Sequence, residues 1–370
     1  MTTDLRQRIE RAQQHAAKAG IDALVISPGA DLRYLTGYDA TPLERLTALV
    51  IPTDGDATLV VPELERPAAL ASPVGSLDLR VADWEETADP YSLVASLLPA
   101  GAATIAVDNH MWAEKVIKFR TVIPAATQVL AGDVLGPLRM RKTPVEVAAL
   151  REAGQAIDLV HQRMGEWLHP GRTEREVARD IADAIIAAGH VRTDFVIVGS
   201  GPNGASPHHE VSDRVIQRGD PVVVDIGGTM ATGYCSDCTR NYLVGALAMP
   251  EYQEAFEVLR AAQRRQCEHA RPGVTAESVD TVGREIIAEA GYGKAFMHRT
   301  GHGIGLETHE DPYIVSGNQL VLEEGMAFSI EPGIYLTGLY GARIEDIVVC
   351  TADGVERLNT TTRDVVCLGD

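Results

Sequence analysis

The sequence predicts a mixed α/β protein of two domains, a small N-terminal α/β layer domain (residues 1–132) followed by a larger α+β domain (residues 133–370). Three observations carry that expectation. The chain has 370 residues, beyond the roughly 100 to 200 that usually share one core. Its first third alternates short apolar runs with amphipathic stretches, the pattern of an α/β layer. Its second part contains an internal repeat in which a helix and two strands recur in the same order.

In chain order, an amphipathic helix is expected from Asp4 to Ala19, stopped by Gly20. The runs IDALVIS, TALVIP, ATLVVP and TIAVD read as strands, with helical stretches after Glu63 and across MWAEKVIKF. The pattern changes near AGDVLGPLRMRK. Thr143, Pro144 and Glu146 then form a capping box with proline at the first helical position. Ala149, Ala153, Ile157, Val160, Met164 and Trp167 give the helix that follows one apolar face, ended by Pro170-Gly171.

The repeat aligns HPGRTEREVARDIADAIIAAGH, from His169, on RPGVTAESVDTVGREIIAEAGY, from Arg271, without gaps. Each copy has Pro-Gly, a threonine N-cap (Thr173, Thr275), a helix of about four turns and a stopping glycine (Gly189, Gly291). Downstream, Gly219 precedes Asp225 by six residues and Gly325 precedes Glu331 by six, each through an apolar run read as a buried strand ending in the acid. A turn and a second strand follow in both copies, carrying Asp237 and Glu345.

Composition limits what this architecture can serve. A net charge of -19 argues against a nucleic-acid backbone or an anionic membrane as main partner, because both require a positive face. The charged, helical opening MTTDLRQRIERAQQHAAKAG fits neither a secretory leader nor a membrane span, and a cytoplasmic protein is expected. Five scattered cysteines suit reduced thiols. Cys235 and Cys238 form a CxxC, but alternation along a strand points them to opposite faces, so they cannot share one ion.

Two halves that each present one inward carboxylate per strand can bring four acids together about a pseudo-twofold axis. Burying even one unpaired charge costs several kcal/mol, so such a cluster requires cations unless the acids are ordinary strand-end residues on the surface. The apolar flanks VVVD, FSIE and ARIE favour burial. Oxygen ligands with one imidazole suit manganese, cobalt or zinc in a two-metal site rather than a closed structural zinc. Imidazoles are available from HRTGHGIGLETHE (His298, His302, His309) and ASPHHE (His208, His209), of which His298 and His209 read as ordinary loop residues. The loops GSGPNG and GHGIG lack the strand and helix that a dinucleotide fingerprint needs, and their glycines are expected to serve tight turns. There is no GxSxG elbow, and no cysteine neighbours a plausible base.

The motifs DIGG, GYCSDCTR, HRTGHGIG, EPGIY and GARIED, in that order, resemble the proline-specific metallopeptidases of the pita-bread (M24) family, which include Xaa-Pro dipeptidase and aminopeptidase P. ADLRYLTGY is similar to the creatinase-like N-terminal domain of the proline-specific branch, so the resemblance spans nearly the whole chain. It implies that Asp225 chelates one metal, that Asp237 and Glu345 bridge both, and that His302 and Glu331 complete the other. It further implies that His208 and His309 contact substrate and stabilise the tetrahedral intermediate, that Glu331 moves a proton, and that Arg343 supports the site. Two divalent ions are expected, manganese first, with cobalt or zinc as alternatives. The Asp225–Asp237 hairpin is one residue longer than the family spacing, a difference assigned to the turn.

The resemblance points to hydrolysis of peptides with proline at the second position, as an Xaa-Pro dipeptidase or alternatively an aminopeptidase P. A non-catalytic binding module and metal-free, creatinase-like C–N hydrolysis are rivals that the intact acids disfavour. Proline calls for a dedicated enzyme because its nitrogen carries no hydrogen and its φ is fixed. A homodimer is implied as well. Asp31 has two readings, a residue reaching the partner's active site or a turn and cap residue.

Overall fold

Each apolar run picked out in the first third of the sequence forms a strand of one sheet in the computed structural model, which describes residues 2–246 and 249–369. The chain falls into two units, Met1–Arg139 and Met140–Asp370. The first runs α1 (Thr2–Lys18), β1 (Ala23–Ile26), α2 (Ala30–Thr36), β2 (Ala48–Pro52), β3 (Thr58–Pro62), α3 (Arg66–Ala71), β4 (Arg80–Trp84), α4 (Pro90–Leu97), β5 (Thr104–Val107), α5 (Ala113–Val122), β6 (Thr127–Leu130) and α6 (Gly132–Met140). Strand order is β4-β3-β2-β1-β5-β6. All residues of β1, β2 and β3 are buried, which is why these strands read as continuous apolar runs. The sequence reading missed β4 and β6, the two edges, whose half-exposed residues RVADW and TQVL form no apolar run.

The division at 139/140 falls seven residues beyond the expected 132/133 because α6 packs with the first unit. Val134 and Leu135 are buried there, and Tyr34 Oη donates to the Leu138 carbonyl. Arg139 at its end pairs with Asp31 at 2.8 Å, both side chains about a tenth exposed. Asp31 lies in the first turn of α2, where Gly29 and not Asp31 is the N-cap, and its ion pair ties α2 to α6 within this unit.

The second unit opens with α7 (Pro144–His161), whose Thr143–Glu146 capping box is complete. The helix ends at His161, short of the expected Pro170-Gly171, and a 3₁₀ turn at Met164–Glu166 takes over. Met164 and Trp167 still reach the same core as Ile157 and Val160, so the apolar pattern outlasts the helix. Then come α8 (Glu174–Ala187), β7 (His190–Ser200), β8 (Pro221–Met230), β9 (Cys235–Val244), α9 (Pro250–His269), α10 (Ala276–Glu289), β10 (Gly301–Gly303), β11 (Glu310–Ile314), β12 (Ala327–Ile330), β13 (Gly333–Leu336), β14 (Tyr340–Arg343), β15 (Asp346–Cys350), β16 (Val355–Arg357) and β17 (Val366–Leu368). They form sheets ordered β17-β9-β8-β7 and β11-β10-β12-β15-β16, with β13-β14 as a separate ribbon.

The repeat holds in backbone detail. Gly171 and Gly273 share φ near +92°, at 93° and 92°, and their N–H groups donate to Ile216 and Leu322 carbonyls at the same 2.9 Å. Thr173 and Thr275 cap α8 and α10, both 14 residues long, and bridge to Val215 and Val321.

The halves diverge at the strands. β8 and β9 are ten residues each and pair without a register shift, so β8 continues five residues beyond Asp225 rather than ending there. Pro332 follows Glu331 in the second half, and a residue without an N–H cannot continue the ladder. β12 therefore stops, and β13-β14 folds out as a ribbon before β15 returns to the sheet.

All five cysteines are unpaired, and no helix among the described residues is long and apolar enough to cross a membrane. Cys235 and Cys238 are both buried but belong to different core clusters, on opposite faces of β9 as alternation requires.

Candidate metal centre

Asp225 sits opposite Thr239 across the β8-β9 ladder, and Asp237 lies two residues before Thr239, so both acids point to one face as diagonal neighbours. The turn of this hairpin lies between Met230 and Cys235, and the paired register carrying both acids is unbroken. In the second half Ile330 pairs with Asp346, so Glu331 and Glu345 project from adjacent ends of β12 and β15. Backbone N–H groups tie each across to a neighbour, Glu331 to the Thr300 carbonyl at 2.7 Å and Glu345 to that of Thr239 at 3.3 Å.

His302 occupies the centre of β10, flanked by Gly301 and Gly303. A Cβ at Gly301 would lie 1.9 Å from the Ser329 carbonyl oxygen, and one at Gly303 would lie 2.1 Å from that of Asp311. Neither glycine has a positive φ, so these residues permit close approach of strands rather than the tight turn expected from sequence. Nδ1 of His302 lies 3.1 Å from the Gly303 carbonyl, which can only accept, so Nδ1 carries a proton. Nε2 then faces Glu331 at 3.1 Å and Asp237 at 3.7 Å.

The ligand atoms of Asp225, Asp237 and Glu345 lie within 4.8 Å of one another, as do those of His302, Glu331 and Glu345. Glu345 belongs to both triads, and Asp237 also groups with His302 and His309, whose rings are 4.0 Å apart. Apart from partly exposed Glu331, the four acids are buried. Burial and the neighbouring Asp225 push the Asp237 carboxyl well above its ordinary range in the cation-free cluster, and burial with Asp237 does the same to Glu345. Burial also works against Glu331, yet its hydrogen bond with His302 brings it down to about 2. Oε1 of Glu345 is buried without a hydrogen-bond partner. An orphaned acceptor among acids too close to ionise together is what a bound cation would resolve, so the donor set fits two hard divalent ions.

Around this centre is a cavity of about 660 Å³. Phe195 and Ile197 form an apolar part of its wall, and His208, His298, Arg299 and His309 a polar part. Arg343 is buried beneath it: Nη2 pairs with Asp225, Nε donates to Thr239 Oγ1 at 3.0 Å, and Nη1 donates to Tyr335 Oη at 2.7 Å. Asn241 Nδ2 donates to the Arg343 carbonyl at 2.6 Å. Burial, with the charges of His302 and Arg299, holds His309 down to about 4, so it is neutral at pH 7.

Residues 148–352 match Metallopeptidase family M24, and residues 8–141 match the Creatinase/Prolidase N-terminal domain. The chain belongs to metallopeptidase family M24. It is 51% identical to the probable dipeptidase PepE of Mycobacterium tuberculosis, covering 97% of this chain and 96% of that one. To an Xaa-Pro dipeptidase of Lactobacillus delbrueckii it is 36% identical, over 97% and 98% of the two chains. The solved structure of dipeptidase PepE from Mycobacterium ulcerans superposes with a TM-score of 0.95 at 50% identity, covering 100% of this chain and 99% of that one. M24 membership implies a dinuclear metal site, and the overlapping triads are the candidate groups for it.

The structure gathers all the residues singled out for this M24 site: Asp225, Asp237, His302, Glu331 and Glu345 in the cluster, His208 and His309 at the cavity, and Arg343 beneath it. Of the two histidines read as ordinary, His209 is indeed held structurally, against buried Glu174 at 2.8 Å. His298 instead lines the cavity, with Nε2 2.9 Å from Tyr335 Oη. Sequence reasoning also passed over Thr239 and Tyr335. Alternation along β9 could have found Thr239, which shares the face of Asp237, whereas Tyr335 was marked only as the last residue of EPGIY.

Proposed function

We propose that this M24 enzyme is an Xaa-Pro dipeptidase that binds two divalent cations, manganese in preference to cobalt or zinc, through Asp225, Asp237, His302, Glu331 and Glu345. The observation that carries the reading is the pair of overlapping triads that share Glu345, whose Oε1 is buried without a hydrogen-bond partner. The cations, when bound, supply an activated water and polarise the scissile carbonyl.

The chain's own side chains do the rest. Phe195 and Ile197 offer an apolar surface to the proline ring. His208 and neutral His309 stand at the cavity to donate to the carbonyl oxygen as charge develops there. Glu331, which accepts a hydrogen bond from Ser329 Oγ at 3.0 Å, carries the proton to the departing proline nitrogen, a role worth roughly 10²- to 10⁴-fold. The substrate class follows the Xaa-Pro dipeptidase relative. A homodimer and a cytoplasmic setting, the latter supported by five free thiols, belong to the same reading.

Metal analysis of protein purified without added cations, with cleavage assays on Xaa-Pro and Xaa-Pro-Yaa peptides, tests the proposal. Two ions per chain and turnover of Xaa-Pro are expected. Asp237→Ala should lose both metal and activity, whereas His208→Ala should keep its metal and lose most of kcat. Metal-free wild type that still cleaves, or an Asp237→Ala variant that retains both ions, defeats the assignment.

A further inference from the structure

Two arginines line the cavity, and only one is engaged. Arg343 is paired with Asp225 and bonded to Thr239 and Tyr335, so its charge is already committed. The guanidinium of Arg299 makes no hydrogen bond or ion pair among the described residues, although the side chain is half-buried in a cavity rich in carboxylates. It is nonetheless held in place. Its Cζ lies 4.5 Å from the centroid of the Tyr313 ring on β11, a cation–π contact that fixes the side chain while leaving its donors free. The backbone beneath it is pinned as well. The Arg299 carbonyl accepts from His298 Nδ1 at 2.7 Å, the next N–H, that of Thr300, donates to Ile314 at 2.9 Å, and the preceding carbonyl, of His298, accepts from Arg284 at 2.8 Å.

We propose that Arg299 is the anchor for a substrate carboxylate, and hence a specificity-determining residue of this site. The inference rests on the Xaa-Pro dipeptidase reading. A planar guanidinium with free donors, stacked on a ring, matches a carboxylate by two parallel hydrogen bonds. An Xaa-Pro dipeptide carries a carboxylate on the residue that follows the scissile bond, whereas a longer peptide has a neutral amide there. The same guanidinium could instead meet an acidic side chain on the first residue. Both sources present one chemistry, and the assay separates them. The arrangement gives a physical reason for a peptidase to favour dipeptides without a wall that closes the groove.

The test compares metal-loaded wild type with Arg299→Gln and Arg299→Lys on Met-Pro, Met-Pro amide, Glu-Pro and Gln-Pro. Wild type should have a KM for Met-Pro about tenfold or more below that for its amide. Arg299→Gln should raise the Met-Pro KM to the amide value with kcat little changed, and Arg299→Lys should recover part of the difference. A loss confined to Glu-Pro relative to Gln-Pro also upholds the anchor and places the carboxylate on the first residue. Metal content must match across the three proteins, which separates this effect from disturbance of the neighbouring His302. Equal losses on all four substrates, or no change on any, overturn the proposal. Calorimetric binding of Met-Pro and its amide reads the same preference without turnover, so a wild type that cleaves neither would sink the dipeptidase reading while the anchor is still measured.

Discussion

Thr239 stands two residues beyond Asp237 on the same face of β9, with its hydroxyl 2.7 Å from Asp225 and 2.9 Å from Glu345. The same oxygen accepts from Arg343 Nε, so one small side chain orients two ligands and their supporting arginine. Groups that orient ligands typically tune metal affinity by about 10- to 100-fold. Thr239→Val, nearly the same in shape but unable to donate, should therefore fold normally and lose affinity by about that factor in a chelator-competition titration. Unchanged affinity would reduce the hydroxyl to a bystander. The contrast with the cysteines is instructive. Cys235 and Cys238 flank Asp237 in sequence and look like metal ligands, yet alternation on β9 places Cys238 in the core, where burial raises its thiol well above the ordinary range. Cys238→Ser should keep the metal while costing about 1 to 3 kcal/mol of stability for the buried hydroxyl, read from denaturant melts.

At the scale of the element, the strand that carries His302 works because its neighbours are glycines. β10 is three residues long and is squeezed between β11 and β12 so closely that no side chain fits at Gly301 or Gly303. Gly303→Ala would place a methyl 2.1 Å from the Asp311 carbonyl oxygen, against backbone that cannot swing aside. Overpacking of this kind costs about 1 to 3 kcal/mol and occasionally more. Here it should also drag His302 off its position, so the variant is expected to lose metal at temperatures where it is still folded. Full metal occupancy in Gly303→Ala, together with a wild-type melt, would show that β10 tolerates expansion. The duplicated helices make a milder point. Thr173 and Thr275 each accept from the backbone N–H three residues on at the start of α8 and α10, with Glu176 completing a capping box only in α8, and the shared part was legible because capping is chemistry between residues three apart in sequence.

Across the whole molecule the carboxylate cluster couples metal, protons and stability. Asp237 and Glu345 have carboxyl groups raised above their unfolded range in the cation-free protein. The folded form thus holds protons that the unfolded form releases. The stability this contributes is fully present below the ordinary carboxylate pKa and is lost as pH rises through the raised values. Stripped wild type should accordingly weaken relative to loaded protein as pH climbs from about 4 to 8. Stripped Asp237→Asn, which cannot charge at that position, should melt above stripped wild type at pH 8 and converge with it near pH 4. Parallel melting curves for the two stripped proteins would mean that the cluster is not mutually repulsive.

What the sequence by itself determined is whatever depends on near neighbours or on simple periodicity. The Thr143 capping box, the threonine N-caps, the apolar strands of the first sheet, and the duplication with its four acids were all legible, because helix caps and strand alternation act over a few positions. The family resemblance added roles for His208, His309 and Arg343 that no local rule supplies. The edge strands β4 and β6 left no apolar run, since an edge is defined by what fails to pair with it. Tertiary structure alone decided that Glu345 belongs to both ligand triads, that Asp31 pairs with Arg139, and that His298 faces the cavity while His209 turns to Glu174. It alone left Arg299 stacked on Tyr313 with its donors free. Those outcomes depend on contacts between segments far apart in the chain, whose distances are set by how sheets pack rather than by the residues on either side.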